Sequence, residues 1–193
     1  GQTNSITVTV SNIKDVTPPS VAPYIEGIPT TWTNKPVTLT IHASDSQSGL
    51  HSRAYSFDGG KTWQASESYN VDKNKVVSII VRDKYDNKSE VKNVTIDKID
   101  VTPPNIVSVK AQLAKGKQGI MTLTLNASDS GSGLNSKAYS FDGGKNFSSS
   151  KTKNISVNQG LVSIVVQDKV GNKAIKTIDT KTIPILGDLD KDR

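Results

Sequence analysis

The sequence predicts an all-β protein made of two tandem Greek-key β-sandwiches of about seven strands each. Three observations predict this fold class. The pentapeptide Asp-Val-Thr-Pro-Pro occurs at residues 15–19 and again at 100–104, 85 positions later, so the chain is a tandem repeat. Short runs of alternating apolar and polar residues are separated by turn residues roughly every 8 to 12 positions. No stretch shows helical periodicity, so each copy is expected to be a two-layer β domain.

The proline pairs divide the chain into domains. Adjacent prolines restrict φ and remove two backbone donors, so neither a helix nor a central strand passes through them, and each pair is expected to form a stiff joint. The predicted domains are 15–99 and 100–182, with a linker at 183–193. Residues 1–14 contain an alternating run, so we expect the tail of an upstream copy or a first strand, and a chain that belongs to a longer array. Only 97–99 separate the last strand of the first copy from the second joint, which predicts an extended pair with limited bending.

Strands and turns can be placed in order within each copy. Residues 37–43 alternate, which predicts a half-buried antiparallel strand whose buried face carries Val37, Leu39, Ile41 and Ala43. A polar turn follows, in which Asp45 is placed to cap the backbone. Ala54–Lys61 recurs identically as Ala138–Lys145 and contains Asp-Gly-Gly, a strong hairpin signal. Later strands are expected at 77–83 and 90–97 in the first copy and at 162–168 and 174–180 in the second.

Composition excludes several classes of protein. The chain of 193 residues has no cysteine, so disulfides, thiolate nucleophiles and cysteine-ligated zinc are excluded. No apolar run reaches the length of about 18 residues that a membrane span requires, so no membrane-spanning segment is expected. The net charge of +6 lies in the second copy, because residues 15–99 contain 10 basic and 10 acidic residues whereas 100–182 contain 11 lysines and 5 aspartates. These lysines lack interleaved aromatics, so a solvated surface is favoured over nucleic-acid binding, and attachment to an anionic wall polymer or glycan is the alternative.

Catalytic side chains are scarce. The histidines His42 and His51 are both replaced by asparagine in the second copy, and neither has a partner that would complete a catalytic triad. A carboxylate pair for glycoside hydrolysis would have to come from recurring aspartates at predicted turns, where such side chains bind backbone amides. These are Asp45 and Asp129, Asp58 and Asp142, and Asp83 and Asp168. The sequence therefore predicts that the protein is not an enzyme.

A second reading of the aspartates places Ca²⁺ at the joint. Asp97 and Asp100 would then meet a loop of the Asp45 or Asp129 kind, because carboxylate oxygens are preferred ligands of this ion. The carboxylates are few and scattered in the sequence, so turn capping is the favoured interpretation.

Four aromatic side chains are candidates for a platform on which sugar rings stack: Trp32, Trp63, Tyr24 and Tyr69. Phe147 is the counterpart of Trp63 in the second copy, which favours an anchor within the hairpin. The two tyrosines have no aromatic counterpart there. Glycan binding is therefore kept as an alternative to a structural role.

Several motifs together resemble a known family. They are Asp-x-Thr-Pro-Pro, Trp-Thr-Asn-Lys-Pro-Val-Thr-Leu-Thr from residue 32, Ser-Gly-Leu, Tyr-Ser-Phe-Asp-Gly-Gly-Lys-Thr-Trp from residue 55, and Val-x-Asp-Lys-x-x-Asn. Over nearly all of residues 15–182 this series resembles the bacterial immunoglobulin-like (Big/E-set type) repeats of large secreted and surface-anchored proteins. The resemblance implies immunoglobulin-like sandwiches, a secreted or bacterial cell-surface location, and the spacing and presentation of neighbouring domains. The second copy departs from it at 114–119, where the Trp32 segment is replaced.

The C-terminal residues resemble a second family. Asp188, Asp190 and Asp192 alternate like ligand positions 1, 3 and 5 of an EF-hand-type loop. With the preceding Ile-Pro-Ile-Leu-Gly they resemble the start of a dockerin, the Ca²⁺-dependent module by which secreted polysaccharide-degrading proteins bind cohesins; an acidic linker is the alternative. Arg193 stands where such a loop has glycine, and the remaining ligands are absent. We therefore expect no cofactor in residues 1–193, and Ca²⁺ and a cohesin partner only for a longer chain.

These observations predict a monomeric, non-catalytic spacer that presents neighbouring modules of the same chain in a secreted, dockerin-bearing protein that degrades or binds polysaccharide. The alternative is a carbohydrate- or cell-wall-binding, adhesin-like module that uses exposed aromatic residues or the basic second domain.

Overall fold

The computed structural model describes residues 14–186, except for the side chains of 22–24. Within this range the predicted all-β class is confirmed, because the chain forms 12 strands and no helix. The described residues therefore include no helix that is long and apolar enough to cross a membrane. The chain divides into two compact units, one built from the residues up to Ile28 and Val37–Asp97, the other from Pro29–Pro36 and the residues from Lys98 onward.

The first unit contains two three-stranded antiparallel sheets. Its strands are β1 (Ser20–Glu26), β2 (Val37–Ser44), β3 (Leu50–Ser56), β4 (Ser68–Val71), β5 (Lys75–Asp83) and β6 (Lys92–Ile96). One sheet has the order β1-β2-β4 and the other β3-β5-β6. The chain thus changes sheet after β2, β3 and β4, as in a Greek-key sandwich.

The second unit repeats this topology strand for strand. Its strands are β7 (Asn105–Leu113), β8 (Ile120–Ser128), β9 (Leu134–Ser140), β10 (Thr152–Ser156), β11 (Leu161–Asp168) and β12 (Lys173–Asp179). The two sheets have the orders β7-β8-β10 and β9-β11-β12. In both units the order corresponds to the immunoglobulin sheets without one edge strand, so each described unit has six strands where the sequence predicts about seven.

The loop between β3 and β4 accounts for part of this difference. In the first unit the chain returns only as an isolated bridge, in which Tyr55 and Gln64 exchange hydrogen bonds of 3.0 and 2.8 Å. Asp58 organises the loop by accepting bonds from the Lys61 and Thr62 amides at 3.0 and 2.9 Å. The predicted hairpin is therefore present as a wide loop closed by its own aspartate rather than as a two-residue turn.

The alternating strands supply the core of each sandwich. On β2, Leu39 and Ile41 are fully buried, as the alternation over 37–43 predicts. In the second unit Leu123 on β8 and Ile164 on β11 are likewise fully buried within one apolar cluster. Burial of each such side chain contributes about 1.5–3 kcal/mol, so the inner faces of the sheets are the main source of stability.

Each copy begins with a lead-in segment, residues 14–19 or 100–104, that belongs to no strand. Asp15 and Asp100 are its buried polar residues, with 5% and 4% of their surface exposed. Because the proline pair cannot join a strand ladder, side-chain contacts have to hold this segment against its sandwich.

Candidate metal centre

Three aspartates from separate parts of the second unit meet at one place. Asp100 lies in the lead-in segment, Asp129 directly follows β8, and Asp168 is the last residue of β11. Each offers one carboxylate oxygen, and these oxygens lie within 4.8 Å of one another. We call these three residues the second cluster. The first cluster is the equivalent set in the first unit: Asp15, Asp45 and Asp83.

The aspartate at the strand end organises the turn that follows its strand. Asp168 is fully buried, and its Oδ1 accepts hydrogen bonds from the amides of Val170 and Asn172 at 2.9 and 2.8 Å. Asp83, also fully buried, accepts the two equivalent bonds at 2.8 and 2.9 Å. These bonds satisfy amides that the tight turn would otherwise leave without partners, which agrees with the predicted capping role.

The aspartate after β2 or β8 caps the next loop in the same way. Asp129 Oδ1 accepts from the amides of Gly131 and Gly133 at 3.2 and 2.6 Å. Asp45 Oδ1 accepts from three successive amides, those of residues 47–49, at 3.2, 2.8 and 2.8 Å. Both carboxylates are half-buried, so each cluster has one side nearer to solvent.

The lead-in aspartate makes the long-range contact. Asp100 Oδ2 accepts from the Ser132 amide at 2.7 Å, and its Oδ1 accepts from the Thr102 amide at 3.1 Å. Burial raises the pKa of Asp100, but the amide and hydroxyl of Ser132 and the Thr102 amide outweigh it and the pKa is lowered. The pKa of Asp15 is also lowered, chiefly by the Ser48 hydroxyl. Both carboxyl groups are therefore ionised at neutral pH.

Gly131 allows the lead-in segment to approach the loop closely. A Cβ atom at this position would lie 2.5 Å from the Asp100 carboxylate, which is too close for any side chain. Gln47 is the counterpart in the first copy, where the amide of Ser48 reaches Asp15 at the longer distance of 3.2 Å. The second cluster is thus the more tightly closed of the two.

An asparagine amide joins the strand-end aspartate to the lead-in backbone. Asn172 Nδ2 donates to Asp168 Oδ2 at 2.7 Å and to the backbone oxygen of Asp100 at 2.8 Å. In the first unit Asn87 Nδ2 makes the same pair of bonds, at 2.6 and 3.0 Å. The residue that closes the turn therefore also holds the lead-in segment.

Neither cluster has a cationic partner in the part of the chain that the structure describes. Arg82 pairs with Asp86 there at 2.9 Å and His42 contacts Glu26 at 3.3 Å, which is an ion pair only when the histidine is protonated; no cluster carboxylate takes part in either contact. Three carboxylates at this spacing repel one another, and burial of two of them strengthens the repulsion. The amide bonds offset part of this energy. An all-oxygen set of this kind also matches the ligands that Ca²⁺ takes in proteins.

The structure combines the two interpretations of the aspartates, because each cluster contains two turn-capping aspartates and the lead-in aspartate. Asp100 lies against the Asp129 loop, as the hypothesis of Ca²⁺ at the joint expects. Asp97, the other aspartate of that hypothesis, is exposed and belongs to neither cluster. Asp168 caps its turn and also enters the cluster. Sequence reasoning missed Asn172 and Ser132, although the recurrence of Val-x-Asp-Lys-x-x-Asn in both copies was a usable signal for the asparagine.

Two of the candidate sugar-stacking aromatics have a ring face covered. The Arg82 guanidinium lies 4.3 Å and the Lys88 ammonium 5.7 Å from the centroid of the Trp63 ring. Tyr69 stacks on Phe57 with centroids 4.8 Å apart and planes inclined by 14°. Such contacts anchor the rings and compete with a sugar for the covered faces.

The other candidate residues are less constrained. Trp32 is 38% exposed. Tyr24 lies in β1, but its side chain is outside the described residues. Asp188, Asp190 and Asp192, the candidate ligands of the incomplete Ca²⁺ loop, also lie outside them. Glycan binding by the four aromatics and the dockerin start both stay predictions.

No family model and no curated protein matches this chain. The resemblance to bacterial immunoglobulin-like repeats therefore rests on the motifs quoted above and on the strand order.

Proposed function

We propose that the two sandwiches are non-catalytic spacer and presentation modules of a secreted or cell-surface multimodular protein. The observation that supports this proposal is the exact repetition of the lead-in contact, in which Asn87 and Asn172 each bond a strand-end aspartate and a lead-in backbone oxygen. A feature repeated in both copies has a role in building each module, whereas a catalytic site would be expected once.

Each module binds its own lead-in segment through side-chain contacts, and modules connected in series need such a contact to keep a fixed position. A spacer transmits position only if the chain that enters a module is fixed to that module. Here the segment is held by a side-chain amide and by the Ser132 amide bond to Asp100 at 2.7 Å. Cohesin binding through a downstream dockerin and polysaccharide degradation by neighbouring modules belong to the same proposal.

A carbohydrate- or wall-binding module is the second candidate, and the exposed indole of Trp32 favours it. Affinity electrophoresis through gels that contain starch, cellulose derivatives or wall polymers separates the two functions. A spacer is expected to migrate at the same rate with and without polysaccharide. Retardation by one polysaccharide that Trp32→Ala abolishes, while Tyr85→Ala at another exposed aromatic does not, would replace the spacer proposal with the binding one.

A further inference from the structure

We propose that the second cluster is a binding site for Ca²⁺, formed by Asp100, Asp129, Asp168 and the hydroxyl group of Ser132. The inference goes beyond the spacer function and does not depend on it. It also differs from the Ca²⁺ loop expected at Asp188–Asp192, since none of its residues lies in that segment.

The Ser132 hydroxyl is the observation that points to a ligand. Ser132 is only 3% exposed, and its Oγ is buried with no hydrogen-bond partner. Its amide donates to Asp100 Oδ2 at 2.7 Å, and its hydroxyl lies close enough to lower the pKa of that carboxyl. The hydroxyl thus lies beside the Asp100 carboxylate, although Ser132 Oγ makes no hydrogen bond of acceptable geometry. A buried hydroxyl without a partner destabilises the fold, and a cation ligand would offset that cost.

The spacing of the oxygens suits one ion. The three carboxylate oxygens lie within 4.8 Å of one another. Two ligands on opposite sides of a Ca²⁺ ion are separated by twice the metal–oxygen distance of about 2.4 Å, so a single ion can contact all three. With the hydroxyl they supply four oxygens. Bidentate carboxylates and water on the side of the half-buried Asp129 can complete the six to eight ligands that Ca²⁺ takes.

The three negative charges of the second cluster favour a divalent cation over the nearby ammonium group of Lys169. The ammonium group of Lys169 lies beside the loop, 3.3 Å from the position a Cβ on Gly133 would take. It nevertheless forms no ion pair with the three aspartates. A flexible exposed lysine neutralises one charge at most and satisfies no hydroxyl oxygen, whereas Ca²⁺ neutralises two and binds all four oxygens.

The first cluster differs at the residue that matters most. Ser48 Oγ donates to Asp45 Oδ1 at 3.2 Å, so the equivalent hydroxyl already has a partner there. Gln47 stands in place of Gly131, and the lead-in aspartate is held less closely. We therefore assign the site to the second cluster and expect weaker binding at the first.

Isothermal titration calorimetry and scanning calorimetry with CaCl₂ test the assignment on residues 1–193 after chelator treatment and dialysis. All proteins carry Asp45→Asn, which neutralises one ligand of the first cluster but keeps an oxygen that accepts the loop amides. The variants added to this background are Asp129→Asn and Ser132→Ala, with Asp142→Asn as the matched control. Asp142 is also a turn-capping aspartate of the second unit, but it is not in the cluster. MgCl₂ serves as the control ion.

We expect saturable Ca²⁺ binding with a dissociation constant in the range of about 10⁻⁴ to 10⁻³ M found for extracellular modules. Binding should be about tenfold weaker with Asp129→Asn. Asp142→Asn should leave the dissociation constant unchanged. At a fixed Ca²⁺ concentration the melting temperature should rise most in the background and control proteins, less with Ser132→Ala and least with Asp129→Asn. Ser132→Ala keeps all carboxylates and is expected to fold normally, and it should weaken binding a few-fold. The assignment would be overturned if no saturable heat appeared up to about 10 mM Ca²⁺. It would also be overturned if Asp129→Asn and Ser132→Ala bound Ca²⁺ as tightly as the background protein.

Discussion

The side-chain amide of Asn172 bonds both the carboxylate of Asp168, at 2.7 Å, and the backbone oxygen of Asp100, at 2.8 Å. One NH₂ group thus connects a strand end to a chain segment 72 residues before the asparagine. Asn87 repeats the arrangement over the same separation in the first unit. The loss of this amide should therefore affect each module in a similar way.

Asn172→Ala is expected to destabilise the second unit by about 1–3 kcal/mol, because it leaves a buried carboxylate oxygen and a backbone oxygen without their donor. Urea unfolding followed by far-UV circular dichroism measures the change. Asn87→Ala should have an effect of similar size on the first unit. Asn126→Ala, at an exposed position on β8, is the matched control, and a loss at Asn172 no larger than at Asn126 would contradict the proposed role of the amide.

Gly131→Ala is expected to destabilise the second unit by about 1–3 kcal/mol, since a Cβ would lie 2.5 Å from the Asp100 carboxylate and would push the lead-in segment away. Thermal unfolding by scanning calorimetry is the measurement. The neighbouring exposed position provides the control Ser130→Ala, for which little change is expected. If both substitutions shift the melting temperature equally, the close approach is not what holds the segment.

Stability should fall in acid partly through Asp58. The Thr62 hydroxyl, the Thr62 amide and the Ser56 hydroxyl lower the pKa of this carboxyl from 3.8 to about 2. A pKa that is lower in the folded state gives stability that is complete above about pH 4 and is lost as the pH falls towards 2. Asp58→Asn should therefore reduce the dependence of urea unfolding on pH between about 4 and 2.

The counterpart Asp142, whose pKa is lowered chiefly by the Ser140 hydroxyl and the Asn146 amide, should behave in the same way in the second unit. Asp97→Asn, at an exposed position, is the control. Identical pH profiles for the control and for both loop variants would show that these hydrogen bonds do not contribute to acid stability.

Leu123→Ala is expected to destabilise the second unit by about 2–5 kcal/mol, because this side chain is fully buried between the sheets and its truncation leaves a cavity. Leu161→Ala removes the same atoms from a side chain that is 74% exposed and should change the free energy of unfolding by less than about 0.5 kcal/mol. Chemical denaturation of both variants gives the comparison. Similar losses at the two positions would contradict the described core.

Features that depend on interactions between residues close in sequence could be predicted, whereas features that depend on contacts between distant residues could not. The all-β class, the repeat, the buried face of β2 and the Asp58 loop depend on local alternation and turn residues, and these are present in the structure. The clusters depend on contacts across the fold. Asp100 and Asp168 are far apart in sequence, and only the Greek-key connection brings them together.

The number of strands in each unit also differs from the sequence prediction. The hairpin predicted at Asp58 implies a returning strand, but in the first unit the returning chain contributes only the Tyr55–Gln64 bridge, and six strands are described where about seven are expected. The Ser132 hydroxyl could not be predicted at all, because the same Ser-Gly-Leu motif gives a bonded hydroxyl at Ser48 and an unbonded one at Ser132.

The separation of 72 residues between the lead-in oxygen and its asparagine has a consequence for synthesis on the ribosome. A lead-in segment emerges first but stays unfastened until nearly the whole module has followed it. Because Asn87 precedes Asp100 in the chain, the first module can close before the second lead-in segment is made. Long-range contacts of this kind form slowly, so closing each module in turn limits the time during which two unfinished sandwiches could exchange strands.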